Sequence, residues 1–169
     1  ILEIHTRNKP LAREVDLEKV AGETFGFSGA HLESLVNEAA ILSFRKGKEE
    51  IGLEEMEEAL DKVLLGERTD KELRRDELAR VAVHETGHAL VSETLRPQSV
   101  GTLTIIPRGR ALGFMRPAGE EDRALYTKKY MEEQIAICLG GGVAEEIIYG
   151  ERSTGAVNDL EQAARLARN

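Results

Sequence analysis

Tryptophan is absent from these 169 residues, cysteine occurs once, proline four times, and aromatic residues amount to 4%. A single cysteine excludes an internal disulfide. Cys138 lies in the apolar stretch Ile135–Leu139, which suits a small buried hydrophobe in a reducing compartment. No apolar run approaches the ~20 residues that span a bilayer. The opening Ile1-Leu2-Glu3-Ile4-His5 has neither a signal-peptide pattern nor an initiator Met, so the sequence reads as a soluble piece of a longer chain. Basic residues are the minority, 23 Lys and Arg against 31 Asp and Glu, and the net charge of −8 has the wrong sign for gripping phosphate backbones. Nucleic acid is therefore not an expected partner. No G-x-x-x-x-G-K-[ST] loop occurs, so ATP hydrolysis by this chain alone is not expected either. What remains is 41% hydrophobic and 32% charged, a folding composition long enough for one ordinary domain or two small ones.

Helical patterning dominates. From Ser28 to about Lys46, Leu32, Leu35, Val36, Ala39 and Leu42 recur at three- and four-residue spacing, Ala40 and Ile41 widen the stripe, and Gly47 is placed to end the helix. A second helix, 53–65, carries Met56, Leu60, Val63 and Leu64 on one side and acidic residues elsewhere. The polar run from Gly66 to Glu72 then marks a boundary, giving a first domain over 1–66, a linker over 67–75 and a second domain over 76–169. Within the second domain, 76–95 is helical and apolar nearly all round, which predicts burial. Residues 100–106 read as a short strand bounded by Pro107, and Pro117 and Gly119 punctuate a charged loop. The helical stretch 127–149 contains Gly140-Gly141-Gly142, expected to weaken or bend it at about 1 kcal/mol per glycine. Residues 159–169 read as a last helix. The fold class expected is mainly α, a small helical bundle followed by a mostly helical domain with a short β element.

Chemistry concentrates at His84-Glu85-Thr86-Gly87-His88, an H-E-x-x-H pattern. Four residues of helix advance about 6 Å and one turn plus ~40°, so both imidazoles share a face and can meet one ion. Glu85 stands one residue round from His84, where a general base can take a proton from a water acidified by that ion. A catalytic zinc needs a third protein ligand and an open position. His5 and His31 fall in the first domain and are poor candidates. Asp159, which also suits a helix-capping role, and the pair Glu145 and Glu146 are equal candidates on the residues alone.

The run Val83-His84-Glu85-Thr86-Gly87-His88-Ala89-Leu90 resembles the zinc helix of the FtsH family of membrane-anchored, ATP-dependent zinc proteases. Thr104-Ile105-Ile106-Pro107-Arg108-Gly109-Arg110-Ala111-Leu112-Gly113 is similar to that family's strand-and-loop segment. Leu139-Gly140-Gly141 with Ala144-Glu145-Glu146, and Ser153-Thr154-Gly155-Ala156 with Asn158-Asp159, match two further blocks. Ile4-His5-Thr6 and Gly26-Phe27-Ser28-Gly29-Ala30-His31-Leu32 resemble the helical lid that ends the family's AAA ATPase module. The resemblance implies zinc held by His84, His88 and Asp159, Glu85 as catalytic base, and Glu145 or Glu146 orienting an imidazole. It also implies nucleotide contacts at His5, Gly29 and Ala30, with ATP serving the complete protein. Unfolded polypeptides as substrates, a homo-hexamer, and a place on the cytoplasmic side of the bacterial inner membrane follow from the same resemblance. Two positions depart from the family pattern: Gly142 stands where Arg is usual and His31 where Asp is usual. A substrate strand pairing with the edge of 102–106 would suit weak sequence preference. The competing reading is a non-catalytic helical assembly module with a structural metal site.

Overall fold

The structure, a computed structural model, describes residues 1–69, 72–109, 111–118 and 125–168. Its contacts divide into two compact units: residues 1–68 with Arg108 and Gly109, and the remainder. Gly119 of the expected charged loop and residues 70 and 71 of the expected linker lie outside the described residues.

The first unit holds α1 (Leu2–Thr6), α2 (Leu17–Glu23), α3 (Gly29–Arg45) and α4 (Leu53–Leu65). Short polar side chains start two of them. Asp16 accepts from the Glu18 N–H at 2.8 Å, and Ser28 accepts from the His31 N–H at 3.3 Å. His31 returns the favour, its Nδ1 accepting from the Ser28 N–H at 3.4 Å, so an imidazole does the work a carboxylate usually does in a capping box. Leu35, Val36 and Ala39 of α3 pack with Met56, Ala59 and Leu60 of α4, joined by Leu2, Val20 and Ile51. Ile41 and Leu64, expected on the apolar stripes, stand 45% and 42% exposed. Each sits at the edge of its stripe.

The second unit comprises α5 (Arg75–Leu95), β1 (Val100–Thr104), β2 (Phe114–Pro117), α6 (Lys128–Tyr149), a 3-10 turn (Thr154–Ala156) and α7 (Val157–Arg168). β1 and β2 pair antiparallel with Leu103 opposite Met115, and Pro117 closes β2. The first strand stops at Thr104, two residues short of the expected end, and β2 carries no alternation that would have announced it.

Two expectations are overturned here. Helix α6 runs without a break through Gly140-Gly141-Gly142. These glycines are a seat for α5: a Cβ on Gly87 would lie 2.5 Å from the Gly140 carbonyl oxygen, and one on Gly140 would lie 2.8 Å from the Gly87 oxygen. Close backbone approach offsets the propensity cost. Helix α5 is also not buried all round, since Leu90 is 64% exposed while His84, Gly87, His88, Ala89 and Ser92 are buried. The inward face is the one that carries the two imidazoles.

Candidate metal centre

His84 and His88 are each 8% exposed. The space in front of them exists because Gly141 has no side chain: a Cβ there would stand 2.5 Å from His88 Nε2 and 2.7 Å from His84 Nε2. Asp159 enters from the first turn of α7, just after the 3-10 turn whose leading Ser153 accepts from the Gly155 N–H at 3.2 Å.

Each imidazole has its Nδ1 engaged on the far side. His84 Nδ1 lies 2.7 Å from Glu145 Oε1, and His88 Nδ1 lies 2.7 Å from the Ile137 carbonyl oxygen. Both of these partners are acceptors, an arrangement that favours the proton on Nδ1 and leaves Nε2 to face inward, although the Gly141 N–H also lies 3.4 Å from His88 Nδ1. The Nε2 atoms are 3.1 Å apart, and Asp159 Oδ2 lies 3.0 Å from His84 Nε2 and 3.4 Å from His88 Nε2. Three such atoms converging at these distances need a proton or a metal cation among them. His84, His88 and Asp159 are the group of potential metal donors found among the described residues, all within 4.8 Å of one another. Two neutral imidazoles and a carboxylate, with Nδ1 anchored behind, fit a zinc ion.

The three groups are also electrostatically complementary. Burial would raise the Asp159 carboxyl, but the adjoining His84 and His88 imidazoles outweigh it and hold the group well below the usual carboxylate range. Burial would lower His84 and His88; Asp159 raises both, helped by Glu145 at His84 and the Ile137 carbonyl at His88. Glu85 is raised, chiefly by burial, against the opposing pull of His88 and His84. A carboxyl lifted toward neutrality is better matched to taking and returning a proton. The Met115 backbone of β2 lies near Glu85 and opposes the rise, and a Cβ on Gly113 would meet Glu85 Cγ at 2.7 Å. The start of β2 therefore lies beside Glu85.

The structure brings together His84, Glu85, His88 and Asp159, with Glu145 behind His84. Glu146 points elsewhere and accepts from Arg152 Nε at 2.8 Å. His5, Gly29 and Ala30 belong to the first unit: His5 accepts from Lys9 Nζ at 2.9 Å through its backbone oxygen, and Gly29 and Ala30 form the first turn of α3. None of the three lines the open cavity of about 300 Å3 bounded by Phe25, Gly26, Phe27, His31, Val63 and Leu64. A Cβ on Gly142 would press on Ala156 Cβ at 3.2 Å, so this departure from the family pattern lets α6 lie close to the 3-10 turn. The roles of Gly113 and Gly141 were invisible in the sequence, where a glycine announces a bend as readily as a vacancy.

Residues 14–58 match the AAA+ lid domain. The chain is 51% identical over 99% of its length to ATP-dependent zinc metalloprotease FtsH 1 of Sphaerobacter thermophilus, 48% over 99% to the FtsH of Aquifex aeolicus, and 46% over its full length to that of Thermotoga maritima. It spans 26%, 27% and 28% of those relatives, about a quarter of each. Residues 71–169, which carry His84, Glu85, His88 and Asp159, match the model of Peptidase family M41, and the chain belongs to that family.

Proposed function

We propose that this chain is the zinc-protease part, with the adjoining AAA lid, of an ATP-dependent protease that degrades unfolded or membrane polypeptides. The observation that carries the reading is the convergence of His84 Nε2, His88 Nε2 and Asp159 Oδ2 with Glu85 beside them. A zinc ion held by these three donors supplies Lewis acidity toward a scissile carbonyl and lowers the pKa of a water to about 7. Glu85 takes the proton of the attacking water and returns it to the leaving amine, a double duty suited to a raised carboxyl. The contacts of Glu145 with His84 Nδ1 and of the Ile137 carbonyl with His88 Nδ1 fix the rings so that Nε2 faces the reaction space. A substrate segment lies extended along the edge of the strand over 102–106, and backbone pairing there recognises any peptide.

The proposed division is an AAA lid over 1–66, a linker over 67–75 and the protease over 76–169, supported by the two family matches. His5, Gly29 and Ala30 contact nucleotide in the complete protein, which works as a homo-hexamer on the cytoplasmic face of the bacterial inner membrane. No helix among the described residues is long and apolar enough to cross a membrane. The rival reading, an assembly module with a structural metal, is disfavoured by the donor count: structural zinc is normally closed by four protein ligands, and three gather among the described residues.

The test is Asp159→Ala. Zinc bound by the wild-type chain should be lost from the variant while far-UV circular dichroism stays unchanged. Unfolding on loss of the metal would favour the structural reading, and undiminished zinc would remove Asp159 from the ligand set.

A further inference from the structure

Glu145 is a carboxylate at 1% exposure in the middle of the second unit, and both of its oxygens are shared. Oε1 accepts from His84 Nδ1 at 2.7 Å and from Ser153 Oγ at 3.0 Å. Oε2 accepts from the Ser153 N–H at 2.8 Å and from Arg80 Nη1 at 3.0 Å. One side chain thus grips a ligand imidazole on α5 and the residue that opens the 3-10 turn leading to Asp159. The cation that holds Glu145 beside these donors is Arg80, one helical turn before His84 on the same face of α5. Its Nη1 also donates to the Glu151 carbonyl at 3.1 Å, and its guanidinium lies 4.4 Å over the Tyr149 ring. Those contacts tie Arg80 to the end of α6 and the segment that follows, so its geometry is determined from three sides.

The geometry points to Arg80 as a positioning residue that acts through Glu145 to fix the separation of two of the three zinc donors, His84 and Asp159. The inference rests on the zinc reading above. It assigns Arg80 no contact with metal or substrate. Removing Arg80 frees Glu145 to rotate toward Ser153 alone, and His84 then loses the partner that aims Nε2. Outer partners of metal ligands are typically worth 10–100-fold in metal affinity.

Zinc affinity of the metal-stripped 169-residue chain, measured by competition with a chromophoric chelator, tests this, with the visible spectrum of the cobalt-loaded chain as a reporter of ligand geometry. Arg80→Met and Ser153→Ala should each bind zinc about 10-fold or more weakly and shift the cobalt bands. Arg80→Lys, which keeps the charge, should recover most of the loss. Glu145→Gln and the double variant Arg80→Met/Glu145→Gln should bind equally, because Arg80 acts through Glu145. An Arg80 that merely braced the helices would change unfolding and leave the folded chain's affinity and cobalt spectrum untouched, which would overturn the inference. So would losses at Arg80 and Glu145 that multiply. Should Arg80→Met not fold, Ser153→Ala decides, and wild-type affinity in that variant counts against the proposal. A wild-type chain without zinc, or Asp159→Ala binding as tightly as wild type, would defeat the zinc reading itself. Tight wild-type binding indifferent to Arg80 would defeat only the positioning role.

Discussion

A methyl group on Gly141 would collide with the Nε2 atoms of both His88 and His84, at 2.5 and 2.7 Å. Gly141→Ala should therefore abolish zinc binding in equilibrium dialysis while leaving the helical content intact, since alanine favours helix. Retained stoichiometric zinc would show that the donor atoms open elsewhere. At this scale the sequence was partly legible. His84, Glu85 and His88 are spaced by one helical turn, and a local pattern needs no knowledge of the fold. Asp159 and Glu145 could not be ranked as ligands by position, because they lie 75 and 61 residues beyond His84. The two carboxylates divide the imidazole between them, Asp159 at Nε2 and Glu145 at Nδ1. Which carboxylate takes which nitrogen is set by how α6 and α7 pack, and nothing local to either residue encodes that.

Helix α6 shows what local propensity misses. Its three glycines lower intrinsic helix stability, yet they let α5 approach until backbone meets backbone at Gly87 and Gly140. Gly87→Ala places a Cβ 2.5 Å from the Gly140 carbonyl oxygen and 2.6 Å from Ala144 Cβ. Overpacking of this kind costs about 1–3 kcal/mol, to be read from the shift in denaturant midpoint of the second unit. An unshifted midpoint would mean the helices are not in close contact. Helix α3 was legible throughout because its stripe, its Ser28 cap and its Gly47 stop agree, Gly47 adopting φ 69°. β2 was not, because four residues ending in proline carry neither period.

The start of α4 supplies a pH dependence. Glu55, fully buried, accepts from Lys48 Nζ at 2.7 Å and Lys46 Nζ at 2.9 Å. Burial opposes ionisation, but the two lysines win and hold the carboxyl at about 2, below its ordinary 4.5. A depressed folded value means the contribution is complete above pH 4.5 and is lost as pH falls toward 2. Stability of the first unit should decline across that window. Glu55→Gln should flatten the decline, and an equally steep profile in the variant would contradict the assignment.

Across the molecule, the two units are built differently. The first has a continuous apolar core containing Leu35, Ile51, Met56 and Leu60. Among described residues, the buried apolar side chains of the second are only Ala89, Ile137, Ala156 and Ala163, set among buried His84, His88, Arg116 and Glu145. Such a unit is expected to gain stability from an ion held by His84, His88 and Asp159. Ligand binding stabilises by about 2.7 kcal/mol at 100 times the dissociation constant, so chelation should lower the unfolding midpoint of the second unit. The chain has no tryptophan and its tyrosines, Tyr126, Tyr130 and Tyr149, all lie in that unit, so tyrosine fluorescence reports it alone. A midpoint indifferent to chelator would separate the metal from the fold.

The most direct measurement of the central claim pairs zinc stoichiometry with cleavage of a permanently unfolded protein, for the wild-type chain and Glu85→Gln. One zinc per chain is expected in both, with cleavage by the variant slower by about 10²–10⁴-fold. Undiminished proteolysis by Glu85→Gln, or proteolysis by a chain that holds no zinc, would contradict the account.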